Sequence, residues 1–318
     1  MYKEPIFLKP VFQERIWGGQ KLWTQYGYQI PSEQTGEAWV ISAHPNGPSI
    51  IQNGPLQGHN LKDAWENHAE LFNKSSSNHD AYPLLVKILD ANDDLSVQVH
   101  PDDSYAREME GESYGKTECW YVLSAEEDSE IIFGHHAKTR EQMEQMMDQG
   151  KWNDLLQRVK VKQGDFIYVP SGTLHAIGKG IVILETQQSS DITYRVYDYD
   201  RTDDQGNTRE LHLDRAKQVT TVPHKHVDFS RDKRVVDDLT ITSLAEAEYF
   251  AVSHWHLNGR TMQKLDKDFL QVSVIEGNAE ITVEGKTFEA NKGTHFILPY
   301  GIEEYELTGE AELIVSWT

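Results

Sequence analysis

The apolar positions of this chain fall mostly into short runs that alternate with polar ones, the period of a half-buried strand. Only three stretches keep helical spacing. Leu61–Phe72 is the first, with Asn60 placed to cap it and His68 on its core or rim side. Thr139–Arg158 is the second, opening on a Thr139/Gln142 capping box and carrying a stripe of Met143, Met146, Met147, Leu155 and Leu156. The third is short and lies near Leu213–Val219. Residues 1–60, with runs such as Ile16-Trp17-Gly18-Gly19, are broken by Gly and Pro and read as strands and loops. Lys74–Asp80 reads as a polar loop. Residues 200–235, rich in turn formers at Asp203–Asn207, read as a connection between domains. From about residue 240 the text is all strand, and Gly277, Gly285, Gly293, Gly301 and Gly309 recur every eight residues. Turn signals at that interval predict an antiparallel sandwich or barrel.

Period two also sorts side chains onto faces. In Leu95–His100, Gln98 and His100 point one way while Val97 and Val99 point the other. In Gly115–Leu123, Lys116, Glu118, Trp120 and Val122 share a face, and Cys119 lies opposite. An inward ammonium and carboxylate are costly unless paired or bound to something. Leu84–Leu89 reads as a buried strand with one charge, Lys87, and Gly180–Glu185 as another. Phe166–Val169 alternates as well, then bends. Gly164, five residues, Pro170, one, Gly172, two, His175 places a fixed φ and a permissive one ahead of an imidazole.

Composition narrows the class. The chain has 318 residues, 38% of them hydrophobic, which suits a globular protein of two domains or one large fused one. A formal net charge of −21 argues against nucleic acid or an anionic membrane as partner. An anionic substrate would need a local cluster of Lys and Arg. One cysteine, Cys119, excludes a disulfide framework and fits a reducing compartment. The amino terminus has no cleavable apolar core, and no run approaches the ~20 apolar residues that span a bilayer. The expectation is a soluble, cytoplasmic protein, monomer or homodimer.

Gln98, His100, Glu118 and His175 lie on three strands whose inward faces can converge. Two imidazoles, one carboxylate and one amide oxygen form an N/O donor set suited to Zn²⁺, with Fe²⁺ and Mn²⁺ less firmly excluded. One carboxylate against a dication leaves such a centre about +1, a Lewis acid for an alkoxide or enediolate. Lys87, Lys116 and Arg195 are the cations expected nearby, for a phosphate or a developing oxyanion.

The Gly164–His175 spacing resembles the second metal-binding motif of the cupin superfamily. It recurs 129 residues downstream from Gly293, with Glu304 at the histidine position, and that copy resembles a cupin barrel without metal ligands. Gln98-Val99-His100-Pro101, Gly115-Lys116-Thr117-Glu118, Pro170–Ile177 and Leu184–Arg195 together resemble the type I mannose-6-phosphate isomerases, in their short bacterial form. Trp17-Gly18-Gly19, Ala43-His44-Pro45 and the strand around Lys87 support the same likeness, which covers the whole chain. Gln187-Gln188-Ser189-Ser190 departs from the Met-Ala-Asn-Ser of many longer members.

The resemblance implies a mainly β chain of two cupin-type jelly-roll barrels. Residues 1–235 would form the catalytic domain, with a helical insertion at about 137–158, and residues 236–318 a degenerate barrel. It implies one Zn²⁺ held by Gln98, His100, Glu118 and His175. It places Arg195 in the active site. Beside it, Lys116 is the expected second catalytic residue, and Lys87, Glu185 and Trp17 are the expected substrate contacts, with Glu185 as an alternative base. The implied reaction interconverts mannose 6-phosphate and fructose 6-phosphate through a cis-enediol. A cupin oxygenase and a non-enzymatic sugar-binding cupin are the alternatives; Gly115–Glu118 and Ser190-Asp191-(x)3-Arg195 favour the isomerase.

Overall fold

The chain is mainly β, and its three sheets are antiparallel at every strand pairing among the described residues. The computed structural model describes residues 2–75, 80–202 and 205–318. Residues 76–79 of the polar loop at Lys74–Asp80, together with Met1, Asp203 and Asp204, lie outside them. A six-stranded sheet runs Phe166–Val169, Glu118–Ala125, Ile181–Gln188, Leu84–Ala91, Thr35–Ser42, Val11–Gly19. A five-stranded sheet runs Tyr194–Tyr197, Val97–Val99, His175–Ile177, Glu130–His135, Leu156–Lys160.

The two sheets face one another, and strand parity decides what meets. Leu89, Trp120, Val122, Ile181 and Ile183 of the first pack against Ile131, Phe133 and Ile177 of the second. The opposite parity of the six-stranded sheet (Leu84, Val86, Ile88, Cys119, Leu184) packs on Ile275, Ile297 and Ile314 of the carboxy-terminal half. Behind the five-stranded sheet, Val97, Val99 and Ala176 are covered by Met143, Met147 and Leu155 of the insertion and by Ala216. Each fully buried Ile or Leu in these layers contributes about 1.5–3 kcal/mol. A register slip of one residue would turn every one of them to the wrong face.

The helices are shorter than their spacing predicts. Asn60 caps the first as expected, accepting from Asp63 N at 2.8 Å, but the α-helix ends at Asn67 and Ala69–Phe72 is a 3₁₀ turn. The second divides into Arg140–Asp148 and Trp152–Leu155 around Gly150, and its last residues are no helix at all. Leu156–Lys160 is a strand paired with Glu130–His135, because that edge needs a partner more than the helix needs another turn. Thr139 Oγ1 accepts from Gln142 N at 3.2 Å, while Gln142 reaches back to Lys138 N instead of to Thr139. Leu213–Val219 is helical as read. Within residues 1–60 a helix, Lys21–Tyr26, stands where only strands and loops were expected. No helix is long and apolar enough to cross a membrane.

The nine-stranded sheet holds the carboxy-terminal region, from Lys233 onward. All five periodic glycines have positive φ, yet Gly277 and Gly309 lie inside long strands, Leu270–Val283 and Glu304–Trp317, instead of between them. A Cβ on Gly277 would come within 2.1 Å of Glu310 O, so the close approach of these two strands requires glycine. Glu304, at the repeated motif's histidine position, is 57% exposed and pairs with Lys264 at 3.5 Å. The sheet also takes in Ile6–Lys9, which pairs with His295–Leu298. Beside this seam His295 is wholly buried, 2.8 Å from Ser273 Oγ through Nδ1 and 2.7 Å from the Tyr28 hydroxyl through Nε2. Tyr28 donates onward to Gly293 O at 3.0 Å.

Burial lowers the His295 pKa to about 3, below its unfolded value near 6.5. The neutral ring's contribution is therefore complete above pH 6.5 and is lost as pH falls from there toward 3. Urea unfolding at pH 7 and pH 5 should show wild type losing about 2 kcal/mol more over that interval than His295→Gln. Equal losses would remove His295 from the acid sensitivity.

Candidate active site

Strand register gathers the site. Across the five-stranded sheet, Arg195, Gln98 and His175 are successive partners on one rung. Across the facing sheet, Trp120, Glu185, Lys87 and Trp39 form another rung, and Glu118 pairs with Gln187 on the next. Partners on one rung share a face, so both rungs point into the barrel. His100 follows directly on Val97–Val99. The bend before His175 ties two of these elements together. Gly172, at φ 81°, donates its N–H to His100 O at 2.8 Å, and a Cβ there would meet Thr221 Oγ1 at 2.5 Å.

His100, Glu118 and His175 form a buried cluster whose ligand atoms all lie within 4.8 Å of one another. His175 Nε2 is 3.3 Å from Glu118 Oε1, and His100 Nε2 is 3.4 Å from Glu118 Oε2. Both rings are oriented through Nδ1, His100 onto Ile192 O and His175 onto Thr173 O, each at 2.8 Å. A carbonyl only accepts, so Nδ1 carries the proton and Nε2 offers a lone pair to the cluster. Burial, then the Lys116 ammonium, lowers the His100 pKa to about 3, and burial lowers that of His175. Both imidazoles are neutral at pH 7. Burial works against the Glu118 carboxylate, but the Lys116 ammonium 3.0 Å away holds its pKa well below the usual range.

This donor set fits a metal cation. Glu118 Oε2 is buried and accepts no hydrogen bond, although the Lys116 ammonium lies 3.0 Å away. That ammonium is also 3.2 Å from His100 Nε2, so the corner is built to hold positive charge. Gln98 turns its amide nitrogen to His175 Nε2 at 3.3 Å. Ligation through its oxygen takes a rotation of the amide.

The cluster lies beside a cavity of about 450 Å³. Trp17, Lys87, Gln98, Lys116, Glu185 and Arg195 all line it, so the structure brings every predicted site residue to one place. Their charges are not equally available. Lys87 is buried between Glu185 at 3.5 Å and Glu37 at 3.8 Å. Burial, then Glu118, raises the Glu185 pKa, which favours a carboxyl able to exchange a proton. Trp120 Nε1 donates to Glu118 Oε1 at 3.0 Å and Glu185 Oε1 at 3.1 Å. Arg195, by contrast, makes no ion pair among the described residues; Nε donates to Ser96 Oγ at 3.2 Å and Nη1 to Glu210 O at 3.0 Å.

Sequence reasoning missed Glu37, Arg15 and Arg209, which also line the cavity. Glu37 accepts from Arg15 at 2.8 Å and from Trp39 Nε1 at 2.7 Å. Arg209 is held by both oxygens of Asp198, at 2.6 and 2.7 Å. Glu37 sits within residues 1–60, which read as strands and loops, and its parity with Trp39 is the available signal. Arg209 lies in a turn-rich stretch without periodicity, where no pattern points to it.

A metal-capable centre between two facing antiparallel sheets, backed by a second β unit, is the architecture of the cupin class. Its relatives narrow this further. The family model for the catalytic domain of type I phosphomannose isomerase matches residues 6–118, and that for the mannose-6-phosphate isomerase cupin domain matches residues 240–318. Mannose-6-phosphate isomerase ManA of Bacillus subtilis (strain 168) is 51% identical over 316 residues, covering 99% of both chains. Mannose-6-phosphate isomerase of Streptococcus mutans is 50% identical over 313 residues, 98% of both. The crystal structure of a mannose 6-phosphate isomerase from Bacillus subtilis superimposes with a TM-score of 0.96 at 49% identity, over 99% of this chain and 100% of that one. The chain belongs to the type I mannose-6-phosphate isomerases, a family of enzymes.

Replacing Trp120 by Phe keeps the ring but withdraws the one N–H shared by Glu118 and Glu185. Urea unfolding at pH 7 should show a loss of about 1.5–3 kcal/mol, the worth of hydrogen bonds to buried charge. A loss under about 0.5 kcal/mol would mean the two carboxylates do not depend on it.

Proposed function

We propose that this chain is a zinc-dependent aldose–ketose isomerase that interconverts mannose 6-phosphate and fructose 6-phosphate through a cis-enediol. The observation that carries this reading is the pairing of two neutral, oriented imidazoles with a buried carboxylate beside a cavity that Lys116 and Arg195 line. His100, Glu118 and His175 would hold the metal, with Gln98 as fourth ligand through its amide oxygen. A zinc ion bound there supplies Lewis acidity toward the C1 and C2 oxygens of the open-chain sugar.

The chain's own residues account for the rest. A base removes the C2 proton of the aldose, and the same proton returns at C1, while the hydroxyl proton passes from O2 to O1. Lys116 orients the sugar or relays that proton, and Glu185, with its raised pKa, is the alternative base. Arg195, with no carboxylate partner among the described residues, stabilises the enediolate oxygen. Lys87 keeps Glu185 in place, and Trp17 walls the cavity. Arg209, which shares Asp198 with Arg201, gives a phosphate dianion positive charge at the cavity wall in a protein of net charge −21. In this reading residues 1–235 carry the chemistry and residues 236–318 brace it. The enzyme works in the cytoplasm, where its lone buried Cys119 stays reduced.

Conversion of mannose 6-phosphate to fructose 6-phosphate, measured as purified, after chelation and after adding Zn²⁺ back, tests reaction and cofactor together. Activity should vanish with chelator and return with zinc; metal bound without turnover would point to a sugar-binding protein instead. His175→Ala should lose metal while remaining folded. Arg195→Ala should keep zinc and lower kcat about 10²–10³-fold, the cost of removing one oxyanion donor. An unchanged kcat takes Arg195 out of the mechanism.

A further inference from the structure

Two consecutive glutamines close the strand Ile181–Gln188, and both are buried without a part in the chemistry above. Gln188 engages both backbone groups of Thr117. Its N–H donates to Thr117 O at 3.0 Å, and its Oε1 accepts from Thr117 N at 2.9 Å. Its Nε2 donates to Asp103 Oδ1 at 2.9 Å, the same oxygen that accepts Gly115 N–H at 2.8 Å. Gly115 to Thr117 lies just ahead of the strand Glu118–Ala125, held besides by Lys116 N–H on Pro101 O at 3.0 Å and Ser171 N–H on Thr117 Oγ1 at 3.2 Å. Lys116 and Glu118 are the residues on either side of Thr117.

Gln187 acts on the other side. Its Nε2 donates to Ser190 O at 2.6 Å and to Gln188 O at 2.7 Å, tightening the turn that leads to Ile192. Both acceptors are carbonyls, so the amide can point only its nitrogen there. Ile192 O in turn accepts His100 Nδ1–H at 2.8 Å and sets that ring's tilt.

We propose that Gln187 and Gln188 are positioning residues for the metal centre, Gln188 placing Glu118 and Lys116 through Thr117, and Gln187 placing His100 through the Ile192 carbonyl. The inference rests on the zinc reading. Each glutamine acts one residue or one turn away from a ligand, the distance at which outer partners ordinarily govern affinity by ~10–100-fold.

Gln187→Met and Gln188→Met keep side-chain length and remove the side-chain hydrogen bonds, leaving the Gln188 N–H to Thr117 O bond in place. Zn²⁺ affinity is read by competition with a chromophoric chelator, beside kcat, KM and thermal midpoint. Each variant should weaken zinc ~10–100-fold. Gln188→Met at saturating zinc should lower kcat with little change in KM, because Lys116 is displaced with Glu118. Asp103→Ala removes the acceptor shared by Gln188 Nε2 and Gly115 N–H and should likewise bind zinc weakly, whereas Asp103→Asn keeps an oxygen there and should retain affinity. This pair carries the test if Gln188→Met does not fold. A lowered thermal midpoint with wild-type zinc affinity and kcat would overturn the positioning role alone. Wild-type protein that takes up no zinc in the same titration would overturn the metal reading, and this inference with it.

Discussion

A carboxylate with no access to water is the constraint on which the rest of this molecule turns. Glu118 is wholly buried, and an uncompensated charge there would cost several kcal/mol. Compensation arrives from every direction the barrel allows. The residues two before and two after it on the same face, Lys116 and Trp120, supply an ammonium and an N–H; neutral His100 and His175 face it from the opposing sheet, where a bound cation would complete the compensation. The barrel's curvature, the bend at Gly172 and the loop to Ile192 all serve that convergence.

From Glu118 the compensation extends as a chain of alternating partners. Trp120 links it to Glu185, Lys87 links Glu185 to Glu37, and Arg15 completes the series at the cavity edge. Three buried carboxylates and two buried lysines leave a single negative charge before Arg15 is counted, so a divalent cation brings the floor to a modest positive value. Because the imidazoles lean on backbone carbonyls instead of carboxylates, they add nothing to that balance. With a cation bound the centre would stay electrophilic inside an acidic protein, and Arg195 lines the same cavity.

Much of this was legible in the sequence because period two is unambiguous where one face is polar and the other apolar. Gln98 and His100 against Val97 and Val99, and Lys116, Glu118 and Trp120 against Cys119, sorted as the structure sorts them. What stayed hidden depends on pairing between distant segments. Leu156–Lys160 has the stripe of a helix, but a neighbouring strand claims it. Gly277 and Gly309 look like turn residues and instead relieve two strands pressed together. Ile6–Lys9 is a plain apolar run, and nothing local reveals that its partner lies near the other terminus.

That last pairing has a consequence for how the molecule is made. The strand Ile6–Lys9 is made long before His295–Leu298, which it joins, and Tyr28 likewise waits for His295. During translation this earlier segment therefore has an open edge and an unfilled seam until Leu298 has emerged. Contacts this far apart in sequence close slowly, and exposed strand edges invite association with other chains meanwhile. The two halves are distinct in architecture but share one moment of completion, and a nascent chain halted before residue 295 would hold the whole catalytic constellation in its sequence while lacking the strand that locks its beginning in place.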